Sequence, residues 1–227
     1  MSNIKNIAFL SVLVLGLFAC GEKKVEEAPV EEAPAVETPA APTGVDLAAS
    51  TIMWEGSKPG GKHTGTINIS AGELTYDANG DISGGNFTLD MNSITVTDLQ
   101  PGDGKEDLEA HLKGSTEKDQ DDFFNVAKYP TGTFAITSLT PITGSTDGTT
   151  HAVKGNLTLK EVTKEVSFNA VVKSNDTKTE FKIETPEFMI NRTQWNINYG
   201  SKTIFNNLKD KFINDDIKLK LVVVARK

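Results

Sequence analysis

From Gly44 onward, apolar and polar residues alternate along the chain with a period of two. Phe87, Leu89 and Met91 are interleaved with Thr88, Asp90 and Asn92; Val166, Phe168, Ala170 and Val172 repeat the pattern, as do Ile217, Leu219 and Leu221 against Lys218 and Lys220. Successive side chains of a strand point to opposite faces, so this is the signature of strands with one dry face and one wet face. Asn79-Gly80, Asp147-Gly148 and Asn175-Asp176 separate such runs; these dipeptides tolerate the positive φ of tight hairpins. The pattern predicts eight strands, near 50–56, 63–76, 82–94, 131–142, 150–160, 163–174, 178–190 and 213–226. Their short connections favour antiparallel neighbours over a βαβ order. The exception is Lys105 to Lys128, where Leu108 and Leu112 lie four apart before Gly114 and where Phe123-Phe124 follows a polar stretch. That spacing predicts two short helices across one end or side of the sheet. The expected fold is therefore all-β, antiparallel, with a short helical insertion. Eight strands close into a barrel wide enough for one slender ligand, or pair as a sandwich with a solid core, and the periodicity fits both.

The first 44 residues follow another pattern. Lys5 precedes an apolar run from Ile7 to Phe18, too short to cross a bilayer as a helix and suited to a secretory signal. It ends in Leu17-Phe18-Ala19-Cys20, which resembles the bacterial lipobox, whose cysteine is lipidated and becomes the first residue of the mature chain. Cys20 is the only cysteine, so disulfides are excluded. The stretch to Gly44 is rich in Glu, Ala and Val, holds Pro29, Pro34, Pro39 and Pro42, and has no aromatic residue. It reads as an extended tether. The expected organisation is a lipoprotein signal at 1–19, a lipidated Cys20 and Pro/Glu-rich linker at 20–44, and a folded domain at 45–227. Such a chain would be lipid-anchored in a bacterial cell envelope, facing the periplasm or the cell surface.

Charge and residue chemistry narrow the function. The chain carries a net −8, and its first 44 residues hold three Lys and six Glu, leaving −5 on the domain. A mildly acidic domain argues against a nucleic-acid partner. No Gly-x-Ser-x-Gly or His-Glu-x-x-His is present, and His63, His111 and His151 are far apart in sequence. Neither a nucleophilic nor a metal-dependent mechanism is suggested. Asp121-Asp122 and Asp215-Asp216 are adjacent pairs, which on strands point to opposite faces and are usually solvated. The expectation is a binding protein without catalytic residues, metal or cofactor. Phe87, Leu89, Phe134, Leu157, Phe168 and Trp195 alternate correctly to line an apolar channel; the alternative is that they fill a solid core. A hydrocarbon tail gains about 0.8 kcal/mol per buried CH₂, so a dry channel suffices for a long lipid. For a polar headgroup the candidates are His63, His111 and Arg192. Arg192 could fork onto a phosphate, or instead bridge strand and loop through backbone carbonyls.

Several segments, in order, resemble the YceI-like family. They are Trp54-Glu55-Gly56 with His63-Thr64-Gly65-Thr66, Gly84-Gly85-Asn86-Phe87 leading to Asp90-Met91-Asn92-Ser93-Ile94, His111-Leu112-Lys113, and Phe123-Phe124-Asn125-Val126-Ala127-Lys128-Tyr129-Pro130. Gly155-Asn156-Leu157-Thr158-Leu159-Lys160 with Val162-Thr163-Lys164, then Asn191-Arg192-Thr193-Gln194-Trp195 and Tyr199-Gly200-Ser201, complete the set. The resemblance implies a lipocalin-like antiparallel barrel with a tunnel inside, binding a polyisoprenoid or quinone-like lipid for carriage, storage or sensing. Its rivals are a solid β-domain that recognises another envelope protein and a hydrolase acting on lipid or quinone intermediates. Two departures stand out. Gly114 to Asp122 intervenes where the family runs almost directly from His-Leu-Lys to Phe-Phe, and Glu161 stands where the family turn has glycine. The first predicts a longer cap; the second predicts another turn type at that hairpin.

Overall fold

The computed structural model describes residues 44–227; the expected signal segment, Cys20 and the linker before Gly44 lie outside the described residues. The strands are β1 (Gly44–Val45), β2 (Thr51–Lys58), β3 (Gly61–Tyr76), β4 (Ile82–Val96), β5 (Thr131–Pro141), β6 (His151–Leu159), β7 (Val162–Ser174), β8 (Glu180–Glu184), β9 (Phe188–Asn191) and β10 (Asp216–Arg226). One helix, α1 (Lys105–Lys113), interrupts them. Hydrogen bonding runs β10-β2-β3-β4-β5-β6-β7-β8, and β8 pairs back onto β10, so eight strands close a ring. Every strand pair in it is antiparallel. Closure leaves little exposed sheet edge, and alternation sends every second side chain into the interior. There Ile69, Phe87, Leu89, Val153, Leu157, Ile183 and Val223 belong to one buried cluster.

The alternating strand directions define two ends. The capped end carries the β2–β3 and β6–β7 turns, the segment from β4 to β5 that contains α1, and the chain from β9 to β10. The opposite end carries the β3–β4 and β7–β8 turns, β1 and the last residues of β10. At the capped end α1 lies between Gly104 and Gly114, both with positive φ. Glu106 and Asp107 stand in its first turn and His111 and Lys113 in its last, matching the helix dipole. The Val96 N–H donates to Glu109 Oε1 at 2.8 Å, tying the helix to β4.

Three features differ from the sequence reading. The strand expected over 178–190 is two strands, β8 and β9, because Pro186 between them cannot donate to a ladder. The two expected helices are one: after Gly114 the chain turns back, and the Phe124 and Val126 N–H groups donate to the Leu112 and Lys113 carbonyls at 3.2 and 2.9 Å. The β6–β7 hairpin keeps the turn type that glycine favours, with Lys160 at φ 47° and Glu161 at φ 62°. Lys160 is held there by its own side chain, whose Nζ donates to the Phe123 and Asn196 carbonyls at 2.8 and 3.3 Å.

The ring is not uniformly laced. β7 meets β8 only over Val171–Ser174, and β9 pairs with β10. Along Val162–Ala170, β7 therefore lacks a strand partner on the β9 side. Across this seam the rings of Phe168 and Phe188 stack with centroids 4.4 Å apart and planes 18° from parallel.

Candidate functional site

The interior is not solid. A cavity of about 180 Å³ lies along it. The wall runs from Ile82, Leu139 and Ile183 near the opposite end to Leu112, Phe123 and Ile213 at the capped end. All six side chains expected to line a channel, Phe87, Leu89, Phe134, Leu157, Phe168 and Trp195, face this one cavity.

Register explains how they meet. Phe87 on β4 is directly opposite Phe134 on β5, and Phe134 is opposite Leu157 on β6. The rings of Phe87 and Phe134 are 6.4 Å apart, and those of Phe134 and Phe168 are 5.8 Å apart. With Phe188 they form an aromatic band on the inner wall. Trp195 comes from outside the strands, on a 3-10 turn at Arg192–Trp195. Asn191 caps that turn, its Oδ1 accepting from the Thr193 N–H at 3.0 Å. The Trp195 indole N–H donates to the Leu157 carbonyl at 3.0 Å, leaving its apolar faces to the interior.

Polar groups in the wall are few. The Arg192 guanidinium is 2% exposed. It donates through Nε to the Asn214 carbonyl at 3.1 Å, through Nη1 to that of Ile197 at 2.7 Å and through Nη2 to that of Ile213 at 3.1 Å. Asp215 Oδ1 lies 3.7 Å from Nη2. Arg192 thus fastens the chain on both sides of the 198–212 loop and is not presented to a phosphate. Burial lowers its pKa, opposed by the charge of Asp215. Burial by itself would raise the Asp215 carboxyl, but hydrogen bonds from Ser201 and Thr203 and the Arg192 charge outweigh it and hold it below the usual range. Sequence adjacency read Asp215-Asp216 as a solvated pair; Asp216 is exposed while Asp215 is buried. The side chain of Asn214, also in the wall, donates to Ser57 Oγ at 2.8 Å.

The two histidine candidates stand at the capped end, outside the cavity lining. His63 Nδ1 is 2.9 Å from Asp98 Oδ2. His111 Nε2 is 2.8 Å from Asp122 Oδ2, with the rings of Phe123 and Tyr199 edge-on to it at 5.1 and 4.8 Å. The structure brings neither to Arg192's donors. Among the described residues, one trio of metal-type donors gathers: His111, Asp119 and Asp122, whose ligand atoms lie within 4.8 Å of one another. All three are partly exposed, and His111 and Asp122 already satisfy each other. His151 lies at the opposite end, where burial lowers its pKa. Sequence reasoning missed Phe188, hidden by the break at Pro186, and Lys160, whose link to the Phe123 and Asn196 carbonyls leaves no local signal. The wall is aliphatic and aromatic carbon, and its one guanidinium is occupied by backbone carbonyls.

Comparison with solved structures shows the same architecture elsewhere. BcnA of Burkholderia cenocepacia superposes with a TM-score of 0.59 at 21% identity, over 80% of this chain and 99% of that one. A polyisoprenoid-binding domain from Saccharophagus degradans, implicated in plant cell wall breakdown, superposes with a TM-score of 0.53 at 15% identity, over 81% and 97%. A search of characterised proteins by sequence found no match. The model of the YceI-like domain matches residues 44–225, and this chain belongs to the YceI-like family.

Proposed function

We propose that this protein binds a polyisoprenoid or similar long-chain lipid with its tail inside the barrel, and carries, stores or senses it without bond chemistry. The observation that carries the reading is the apolar cavity, whose lining residues come from both ends of the ring. An eleven-residue strand such as β10 rises about 36 Å along its length, and a tilt of roughly 35–45° leaves about 25–30 Å along the axis. A slender tail fits that span, and each buried methylene contributes about 0.8 kcal/mol. The reading also draws on the Saccharophagus degradans neighbour, described as polyisoprenoid-binding. With Arg192 occupied by carbonyls, specificity rests on the tail's cross-section and length, and the headgroup stays outside the wall. The protein would act from a membrane of the cell envelope, held there through Cys20. The test is organic extraction of the purified full-length protein followed by mass spectrometry. The expected result is a long-chain isoprenoid lipid near one per protein; a protein free of isoprenoid, which also takes up none when it is added, would overturn the reading.

A further inference from the structure

Between the 3-10 turn and β10, the chain from Asn198 to Phe212 makes a loop with a pinned neck and a free tip. At the neck Ser201 is fully buried and bridges to Ile213, whose N–H donates to the Gly200 carbonyl at 2.8 Å. Thr203 Oγ1 donates to buried Asp215 at 2.6 Å. Immediately outside the neck, Ile197 and Ile213 line the cavity. The tip is built differently. Ile204 and Phe205 are 45% and 47% exposed, and Tyr199 at the base is 42% exposed. Among the described residues five large apolar side chains stand this far out of the fold, and three of the five are in this loop. They share it with Lys202, Lys209 and Lys211, all exposed, against the single acid Asp210, although the protein as a whole carries −8.

Exposed apolar side chains are common singly, but a cluster ringed by like charge on a rigid neck is a contact surface. Bulky apolar tips with flanking lysines suit the boundary of an anionic bilayer, where the apolar groups enter the headgroup region and the ammonium groups meet lipid phosphates. We propose that the 202–212 tip docks on an anionic membrane surface and places the capped end of the cavity against the lipid that supplies or receives its ligand. This rests on the lipid-binding reading above. The tether permits it: the folded domain begins with β1 at the opposite end, and the 24 residue-to-residue steps from Cys20 to Gly44 span at most about 80 Å when extended, beyond the axial length of the barrel.

The experiment places an environment-sensitive fluorophore on Phe205→Cys, or on Asp176→Cys at the opposite end, in the full chain reconstituted into vesicles. The unsubstituted chain, labelled identically, serves as the blank for Cys20. In phosphatidylglycerol vesicles at low salt, the probe at 205 should blue-shift and be quenched by spin-labelled lipid, while the probe at 176 stays in water. Molar salt, pure phosphatidylcholine, or Lys202→Glu with Lys209→Glu and Lys211→Glu should reduce the bound fraction at least tenfold, because screening and charge reversal remove the attraction. A probe at 205 that stays in water on phosphatidylglycerol would overturn the proposal. So would a blue-shift that is the same without vesicles, which would signify a protein contact. Polyisoprenoid binding in detergent separates the two readings: a tip that keeps its lysines yet fails to dock while polyisoprenoid still binds counts against the docking face alone, and absence of binding with docking intact counts against the lipid-carrier reading alone.

Discussion

Arg192 and Asp215 show how much one side chain decides here. The pair closes the neck below the 198–212 loop and removes the only guanidinium in the cavity wall from ligand chemistry. Asp215→Asn should cost about 3 kcal/mol, since it leaves a buried guanidinium without its counter-charge. The pH dependence has a definite sign. The folded carboxyl titrates below its ordinary value of 3.8, so its stabilisation is complete above about pH 4 and is lost as the pH falls through the lower folded value. Melting temperatures of wild type and variant should therefore converge as acid is added below pH 4; a constant difference would mean that charge is not what Asp215 supplies. Gly65 is the second decisive residue. A Cβ there would lie 2.0 Å from the Thr95 carbonyl oxygen and 2.4 Å from Trp54 Cζ2, so Gly65→Ala has to move backbone. Denaturant titration should show a loss of about 3 kcal/mol, together with a shift in tryptophan emission.

At the scale of elements the seam has a measurable consequence. Every second β7 amide from Val162 to Ala170 points towards a side with no strand partner, whereas β4 is bonded to β3 and β5. Amide hydrogen exchange should be faster at those β7 positions than anywhere in the doubly paired centre of β4; equal protection would mean that the seam is closed in solution. The strands themselves were legible in the sequence, because period-two alternation survives burial and the turn dipeptides mark its breaks. Phe87, Leu89, Phe134, Leu157 and Phe168 could be assigned to one inner wall for the same reason. What sequence did not show has physical causes. Pro186 divided a run that alternation alone made continuous. The second expected helix failed because Phe124 and Val126 find backbone partners on α1 instead of in a new turn. At Lys160-Glu161, tertiary contacts of the lysine outweigh the local preference for glycine. The choice between tunnel and solid core depends on how wide the closed ring is, a property of strand register that no single segment encodes.

At the scale of the whole molecule, the described residues form a closed eight-stranded ring with an apolar bore, which we propose hangs from a membrane by a lipidated cysteine. No described helix is long and apolar enough to cross a membrane, and Cys20 is the attachment we propose. Cys20→Ser, with the signal segment removed by an engineered cleavage site, should move the protein from the membrane fraction to the soluble fraction in high salt; retention there would point to a second anchor. The bore itself is tested by Phe168, which faces the cavity and stacks on Phe188 across the seam. In a solid core, Phe168→Ala would cost about 3–5 kcal/mol through lost transfer energy and a new cavity, and added lipid would change nothing. The measurement is the melting temperature of wild type and Phe168→Ala, each delipidated, with and without a polyisoprenoid. Wild type should show a lipid-dependent rise by mass action, and the variant a cost clearly below the core value together with an altered lipid response. No shift with lipid in wild type, together with full core-sized destabilisation in the variant, would contradict it.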